Sequence, residues 1–162
     1  MFREMRRGKQ ALSVDETIEI LHKGTSGVLA LSGDCGYPYA VPLSYVFIDD
    51  KLYFHCATEG HKLDAIKSDP RASFCVTAQD IVSPEEYTTH YKSVIVFGKI
   101  SIMEDDVQKL RAIRKLSAKY APNESEHHRD DVIGKEWKSL CMLEMVPEHI
   151  TGKQAKELMQ RK

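Results

Sequence analysis

Three groups of residues in this chain have types and spacing that could do chemistry. The first is Gly60-His61-Lys62, a glycine followed by two potentially cationic side chains. If a helix starts here, its first amides are unpaired, and with Lys62 they suit a phosphate. Cations at a helix N-terminus are otherwise disfavoured. Two readings stand side by side: an anion-binding turn, or a solvated loop. The second is His55, five positions before Gly60. Its ordinary pKa near neutrality suits proton transfer or substrate orientation; the alternative is a strand histidine bonded to a neighbour. The third is Pro42, inside an apolar β-rich run. Proline cannot donate to a ladder, so it marks either a point open to a ligand or an edge strand.

The cysteines Cys35, Cys56, Cys75 and Cys141 contain no CxxC spacing. Three lie in apolar strand-like runs, where a reduced cysteine behaves as a small hydrophobe; they are expected to be free rather than disulfide-bonded. With His127 and His128 they match no common zinc spacing, so no metal is expected. His127 and His128 read as solvated, and Trp137 as a core residue.

The elements that must position these groups follow from periodicity. Residues 1–12 form a basic, extended arm. Ser13 or Asp15 caps a first helix with Ile18 and Leu21 on its buried face and Gly24 at its end. Gly27 to Ser32 is a strand and Gly33 to Gly36 a turn. Tyr37 to Ile48 is one long strand with Tyr39, Val41, Leu43, Tyr45 and Phe47 on one face. Leu52 to Cys56 is a strand; Ala57 to Gly60 turns into a helix over His61 to Ser68, with Leu63 and Ile66 on one side. Asp69-Pro70 stops that helix. Ala72 to Val76 is a strand, Thr77 to Thr89 an irregular connection, and Tyr91 to Met103 the clearest strand, bent at Gly98. Asp105 or Asp106 caps a helix ending near Tyr120. Asn123 to Arg129 reads as a polar loop, followed by a short helix from Asp130 or Asp131. Leu140 to Val146 is the last strand, and Thr151 to Met159 a terminal helix. Six strands joined mainly by turns predict antiparallel pairing. Several are apolar on both faces, which a small barrel backed by helices or by a second subunit satisfies.

The 162 residues predict a single domain, with 1–12 an arm and 149–162 a tail. With 23 basic against 24 acidic residues, no overall charge favours nucleic acid or an anionic membrane. No apolar run approaches a membrane span, and the basic N-terminus lacks the apolar core of a secretory signal. A cytoplasmic location is the default expectation.

Three ordered stretches then form a pattern: AVPLSYVF at 40–47, LYFHCATEGHKLDAI at 52–66 and HYKSVIVFGKI at 90–100. Together they resemble the FMN-binding split-barrel superfamily of pyridoxamine 5'-phosphate oxidases, and within it most resemble the nitroimidazole-resistance proteins. Met5-Arg6-Arg7 and the tail HITGKQA at 149–155 are similar to the same group. The resemblance implies a mainly β, six-stranded antiparallel split barrel with flanking helices, a homodimer, and FMN (or FAD) at the dimer interface. It implies a cofactor-binding set of Pro42, Leu43 and Ser44 along the ring, His55 and Ala57 beside it, Gly60, His61, Lys62 and Leu63 at the phosphate, and Ser93 on a neighbouring strand. It makes His55 the catalytic candidate. The family commonly has arginine or lysine at the position of His61, so phosphate affinity is expected to rest on Lys62 and backbone amides, or to be pH-sensitive.

The implied function is a flavin-dependent reductase of nitroimidazole-like or other small aromatic substrates. A non-catalytic flavin-binding module is the second reading, since no G-x-G-x-x-G fingerprint names an electron donor. Pyridoxamine 5'-phosphate oxidation ranks third, because no second cluster of basic residues is visible for a substrate phosphate.

Overall fold

The structure is a computed structural model and describes residues 1–159. In chain order its elements are α1 (Val14–Lys23), β1 (Ser26–Ser32), β2 (Pro38–Ser44), β3 (Val46–Ile48), β4 (Lys51–Cys56), α2 (His61–Ser68), β5 (Arg71–Ser83), β6 (Thr88–Ile102), α3 (Asp106–Tyr120), α4 (Glu126–Glu136), β7 (Cys141–Gln154) and α5 (Lys156–Met159). The seven strands form one antiparallel sheet in the order β2-β1-β5-β6-β7-β4-β3. Its two edge strands are consecutive in sequence: only Tyr45 separates β2 from β3. The run read as one strand over Tyr37 to Ile48 is therefore two, one at each margin of a curled sheet. This is the mainly β split-barrel architecture with flanking helices.

The break at Tyr45 has a physical cause. Its side chain is fully buried, with ring contacts to Phe74 and its hydroxyl donating to the Leu21 carbonyl at 2.8 Å. Its backbone is served by the end of α3: the Tyr45 N–H donates to the Tyr120 hydroxyl at 2.9 Å, and the Tyr45 carbonyl accepts from Lys119 Nζ at 3.1 Å. These partners replace ladder bonds, as buried backbone groups require.

The interior is filled by Leu21, Leu29, Phe54, Phe74, Val94, Val96, Leu143 and Met145, with Leu63 and Ile66 of α2 plugging it from one end. A second cluster packs α3 and α4 on the outside through Ile113, Leu116, Ile133 and Met142. Ser13 caps α1 with a reciprocal bond to Glu16, and Asp105 caps α3. The bend expected at Gly98 is a register shift between Phe97 and Gly98 against β7. A Cβ at Gly98 would lie 2.2 Å from the Val146 carbonyl, so only glycine fits.

Three further elements differ from the sequence reading. Thr77 to Thr89 is not irregular: β5 and β6 continue as a two-stranded ribbon to Ser83 and Thr88, around a turn with Tyr87 at φ 49°. Most of that ribbon is exposed to solvent on both faces, so it carries no apolar alternation to read. α4 starts at Glu126, capped by Ser125, rather than near Asp130. Finally, 151–154 is strand, not helix, because β7 stays paired with β6 as far as Gln154; only Lys156–Met159 is helical.

Candidate functional site

β4 turns Leu52 and Phe54 into the core and His55 outward. β3 pairs with β4 as Val46 with Tyr53 and Phe47 with Leu52. Continuing that register past Tyr45 would put Ser44 opposite His55. Instead the chain leaves β4 at Tyr45, and Ser44 pairs with Ser26 of β1. Ser44 and His55 thus stand on opposite lips of the split, both exposed. Pro42 faces outward on the edge strand β2, opposite Val28, with Leu43 half-buried beside it. Between its two readings, the edge-strand one describes its backbone; its exposed face leaves the ligand-contact one open.

α2 begins directly after this lip. Gly60 has φ 127°, a left-handed conformation that favours glycine. The Gly60 carbonyl accepts from the N–H of Leu63 at 2.9 Å and of Asp64 at 3.3 Å. The N–H groups of His61 and Lys62 precede the first helical bond and are free to meet an outside acceptor. Leu63 is placed differently from the rest of the predicted set: its side chain is core, 3% exposed, and its N–H is used by Gly60. It anchors the turn rather than lining its surface.

The two basic side chains of the turn are not equivalent. The His61 ring packs on Tyr39 of β2 at 4.2 Å between centroids, and Nε2 lies 3.3 Å from Asp34 Oδ2. His61 therefore ties α2 to β2 and to the β1–β2 turn. Tyr39 was readable as the apolar face of its strand; Asp34, exposed in a turn, gave no signal of this role. Lys62 has no ion-pair partner among the described residues. Its charge acts on its neighbours instead. His55 is solvent-facing, yet its ring has enough protein around it to lose hydration. That lowers its pKa below the ordinary histidine value, and the Lys62 ammonium lowers it further. The result is an imidazole whose cation is disfavoured, near an ammonium with no ion-pair partner among the described residues, a set that suits an oxyanion beside a hydrogen-bonding ring.

Ala57 is exposed at the start of the loop between His55 and Gly60. Ser93 is elsewhere. It lies on β6 between Thr77 of β5 and Lys153 of β7, in the same outward row as Ile95 and Phe97. His55, Ala57, Gly60, His61 and Lys62 follow one another from the end of β4 into α2, Ser44 stands across the split, and Ser93 lies on β6. Two hollows are lined by other residues. One of about 740 Å³ sits under the N-terminal arm against Arg6, Lys9 and Tyr91; one of about 500 Å³ lies between Ser32, Tyr37, Arg71 and Phe97.

A curled antiparallel sheet that opens at Tyr45, with an anion-ready helix start on one lip, defines a split-barrel protein. The sequence places it more closely: the chain belongs to the pyridoxamine 5'-phosphate oxidase family, whose model matches residues 13–154. Solved structures share the fold. A candidate 5-nitroimidazole antibiotic resistance protein from Bacteroides thetaiotaomicron superposes with a TM-score of 0.74 at 17% identity, covering 89% of this chain and 86% of that one. A FAD-binding protein from Mesorhizobium loti superposes at 0.64 with 25% identity, covering 90% and 97%. A flavocytochrome from Azotobacter vinelandii superposes at 0.78 with 18% identity, covering 94% and 72%. No curated protein matches the chain in sequence.

Proposed function

We propose that this protein binds a flavin, FMN or FAD, at the split and uses it to reduce a small aromatic or nitro-bearing molecule. The observation that carries the reading is the turn at Gly60 to Lys62. It offers two helix-start amides and an ammonium with no partner among the described residues, beside the exposed lips at Ser44 and His55. That donor set fits a flavin phosphate, with nothing bulky at Gly60 to obstruct it. Lys62 and the amides of His61 and Lys62 would hold the phosphate, and β2 from Pro42 to Ser44 would run beside the ring. His55, kept neutral, would orient the substrate or hand it a proton. The flavin would supply the electron transfer. Family membership supports the cofactor class, and the names of the Mesorhizobium and Azotobacter neighbours agree with it.

The same proposal takes the active form as a homodimer. Val28, Ile95 and Phe97 are 42%, 37% and 36% exposed on one sheet face. Val28 and Ile95 flank Cys75 in a single cross-strand row. A second copy packed there would cover them and bring its own Ser93 towards the flavin.

The test is a fluorescence titration of purified protein with FMN and with FAD, followed by anaerobic photoreduction and addition of a nitroimidazole. Saturable quenching and reoxidation of the flavin by the nitro compound are expected. Failure to bind either flavin removes the cofactor. Binding without reoxidation by any nitroaromatic removes the reductase and leaves a flavin-binding module.

A further inference from the structure

The sequence predicts four free cysteines, three of them as small hydrophobes in strand-like runs. The fold pairs two of them. Cys56, the last residue of β4, is the direct register partner of Cys141, the first residue of β7. Directly opposed residues of an antiparallel ladder project to the same face, with Cα atoms about 4.5 or 5.5 Å apart depending on the type of pair. Either spacing lies within the roughly 4.4–6.8 Å range that a disulfide spans. Both thiols are free, Cys141 is 7% exposed, and Cys56 is half-buried. The Cys141 thiol donates to the Met142 carbonyl at 3.9 Å. The other two cysteines have no such register partner. Cys75 lies opposite Val28 and Ile95, and Cys35 sits exposed in the β1–β2 turn.

We propose that Cys56 and Cys141 are a dithiol modification site that takes up an intrachain disulfide from a small-molecule disulfide oxidant. The half-buried Cys56 reacts first: its thiolate sulfur bonds to one sulfur of the oxidant and expels the other half as a thiol. Cys141 then bonds to the Cys56 sulfur and expels the second half. The cysteine pair loses two electrons and two protons, and the oxidant is reduced to two thiols. Burial and the neighbouring Cys141 push the Cys56 thiol up to about 12, with Lys62 acting in the opposite direction. The exchange is accordingly slow at neutral pH, as befits a pair that is free in the resting protein.

The location gives the bond a consequence. Cys56 follows His55 directly and roots the loop that leads to Gly60 and Lys62. A disulfide to β7 locks the end of the β4 ladder, where strand pairing would otherwise fray. It also closes a long loop of sequence, which limits the unfolded chain more than a short one. The inference needs no flavin and stands independently of the proposed function.

The experiment uses the full chain carrying Cys35→Ser and Cys75→Ser, which leaves these two thiols alone. The protein is incubated with oxidised glutathione, alkylated in denaturant and digested with trypsin. The expected product is a reducible link between peptide 52–62 and peptide 139–153, with no intermolecular link. A Cys141→Ser change in the same background should trap glutathione on Cys56. In addition, the oxidised protein should melt about 5 °C or more above its reduced form. Glutathione adducts or alkylated thiols on both cysteines with no linked peptide, in protein whose circular dichroism shows it folded, overturn the proposal. So does a linked form that melts no higher than the reduced one.

Discussion

His55 and Ser93 flank the same strand eleven residues apart: Met142 of β7 is the register partner of His55, and Lys153 that of Ser93. At about 3.3 Å per residue this is on the order of 35 Å measured along β7. In the proposed dimer, a flavin held beside His55 of one copy would meet Ser93 of the other.

The first prediction is that the protein is a dimer through the outward face of β1, β5 and β6, and that flavin binding depends on it. Ile95 stands in the middle of this face, between Cys75 and Thr151. Ile95→Lys places a charge where an apolar contact is expected. Light scattering should change from dimer to monomer while circular dichroism stays unchanged. Flavin affinity should fall at least about tenfold, or roughly 1.4 kcal/mol. A variant that remains dimeric with wild-type affinity would place the interface elsewhere.

Lys62 and His61 should separate in a binding titration. Lys62→Ala removes the unpaired ammonium and should weaken flavin binding by about 1–3 kcal/mol, the usual loss for a charged hydrogen bond. His61→Ala leaves the helix-start amide in place and removes packing on Tyr39 and the exposed contact with Asp34. Its effect should be smaller, below about 1 kcal/mol. Equal losses would mean that His61 reaches the phosphate itself.

His55 should titrate below the ordinary histidine value of 6.5, because burial and then Lys62 both disfavour its cation. The folded pKa lies below the unfolded one. Its contribution to stability is therefore fully present above about pH 6.5 and is lost as pH falls through the lowered folded value. Lys62→Ala removes the smaller cause and should raise the His55 pKa, while leaving it under the ordinary value. Proton NMR of the ring, with His55→Gln identifying the resonance, measures both. A wild-type value at or above the ordinary one would show that burial and Lys62 do not disfavour the cation at the split.

Much of this architecture was legible because it is written in local patterns. The helix at His61–Ser68 was bounded by Gly60 on one side and Asp69-Pro70 on the other, and the structure keeps those limits. The bend at Gly98 was readable from a glycine inside a β-branched run. The split at Tyr45 was not, since Tyr45 continues the alternation of Tyr39, Val41 and Leu43 without a break. What turns the chain there is Tyr120, 75 residues away, and no window around Tyr45 contains it. The candidate site divides in the same way. Gly60 to Lys62 is a local motif, whereas the Tyr39–His61 packing, the Cys56–Cys141 register and the distance of Ser93 from His55 exist only once strands are paired.

Tyr120 gives the last prediction, a test of whether the split is held from outside the barrel. Its hydroxyl accepts from the Tyr45 N–H and also bonds the Thr25 carbonyl, where β1 begins. Lys119 donates to the Tyr45 carbonyl and to the Gly24 carbonyl, so the end of α3 holds both strands where they part. Tyr120→Phe keeps the ring and removes only the hydroxyl. The Tyr45 N–H, beside a fully buried side chain, then loses its partner, and an orphaned donor of this kind costs about 1–3 kcal/mol. The urea midpoint should fall accordingly with an unchanged slope, since the surface exposed on unfolding is the same. If α3 only covers the sheet, flavin affinity will not change in conditions where the variant is fully folded. If α3 sets the separation of Ser44 from His55, affinity will fall in the folded variant as well, and Lys119→Met will reproduce the fall.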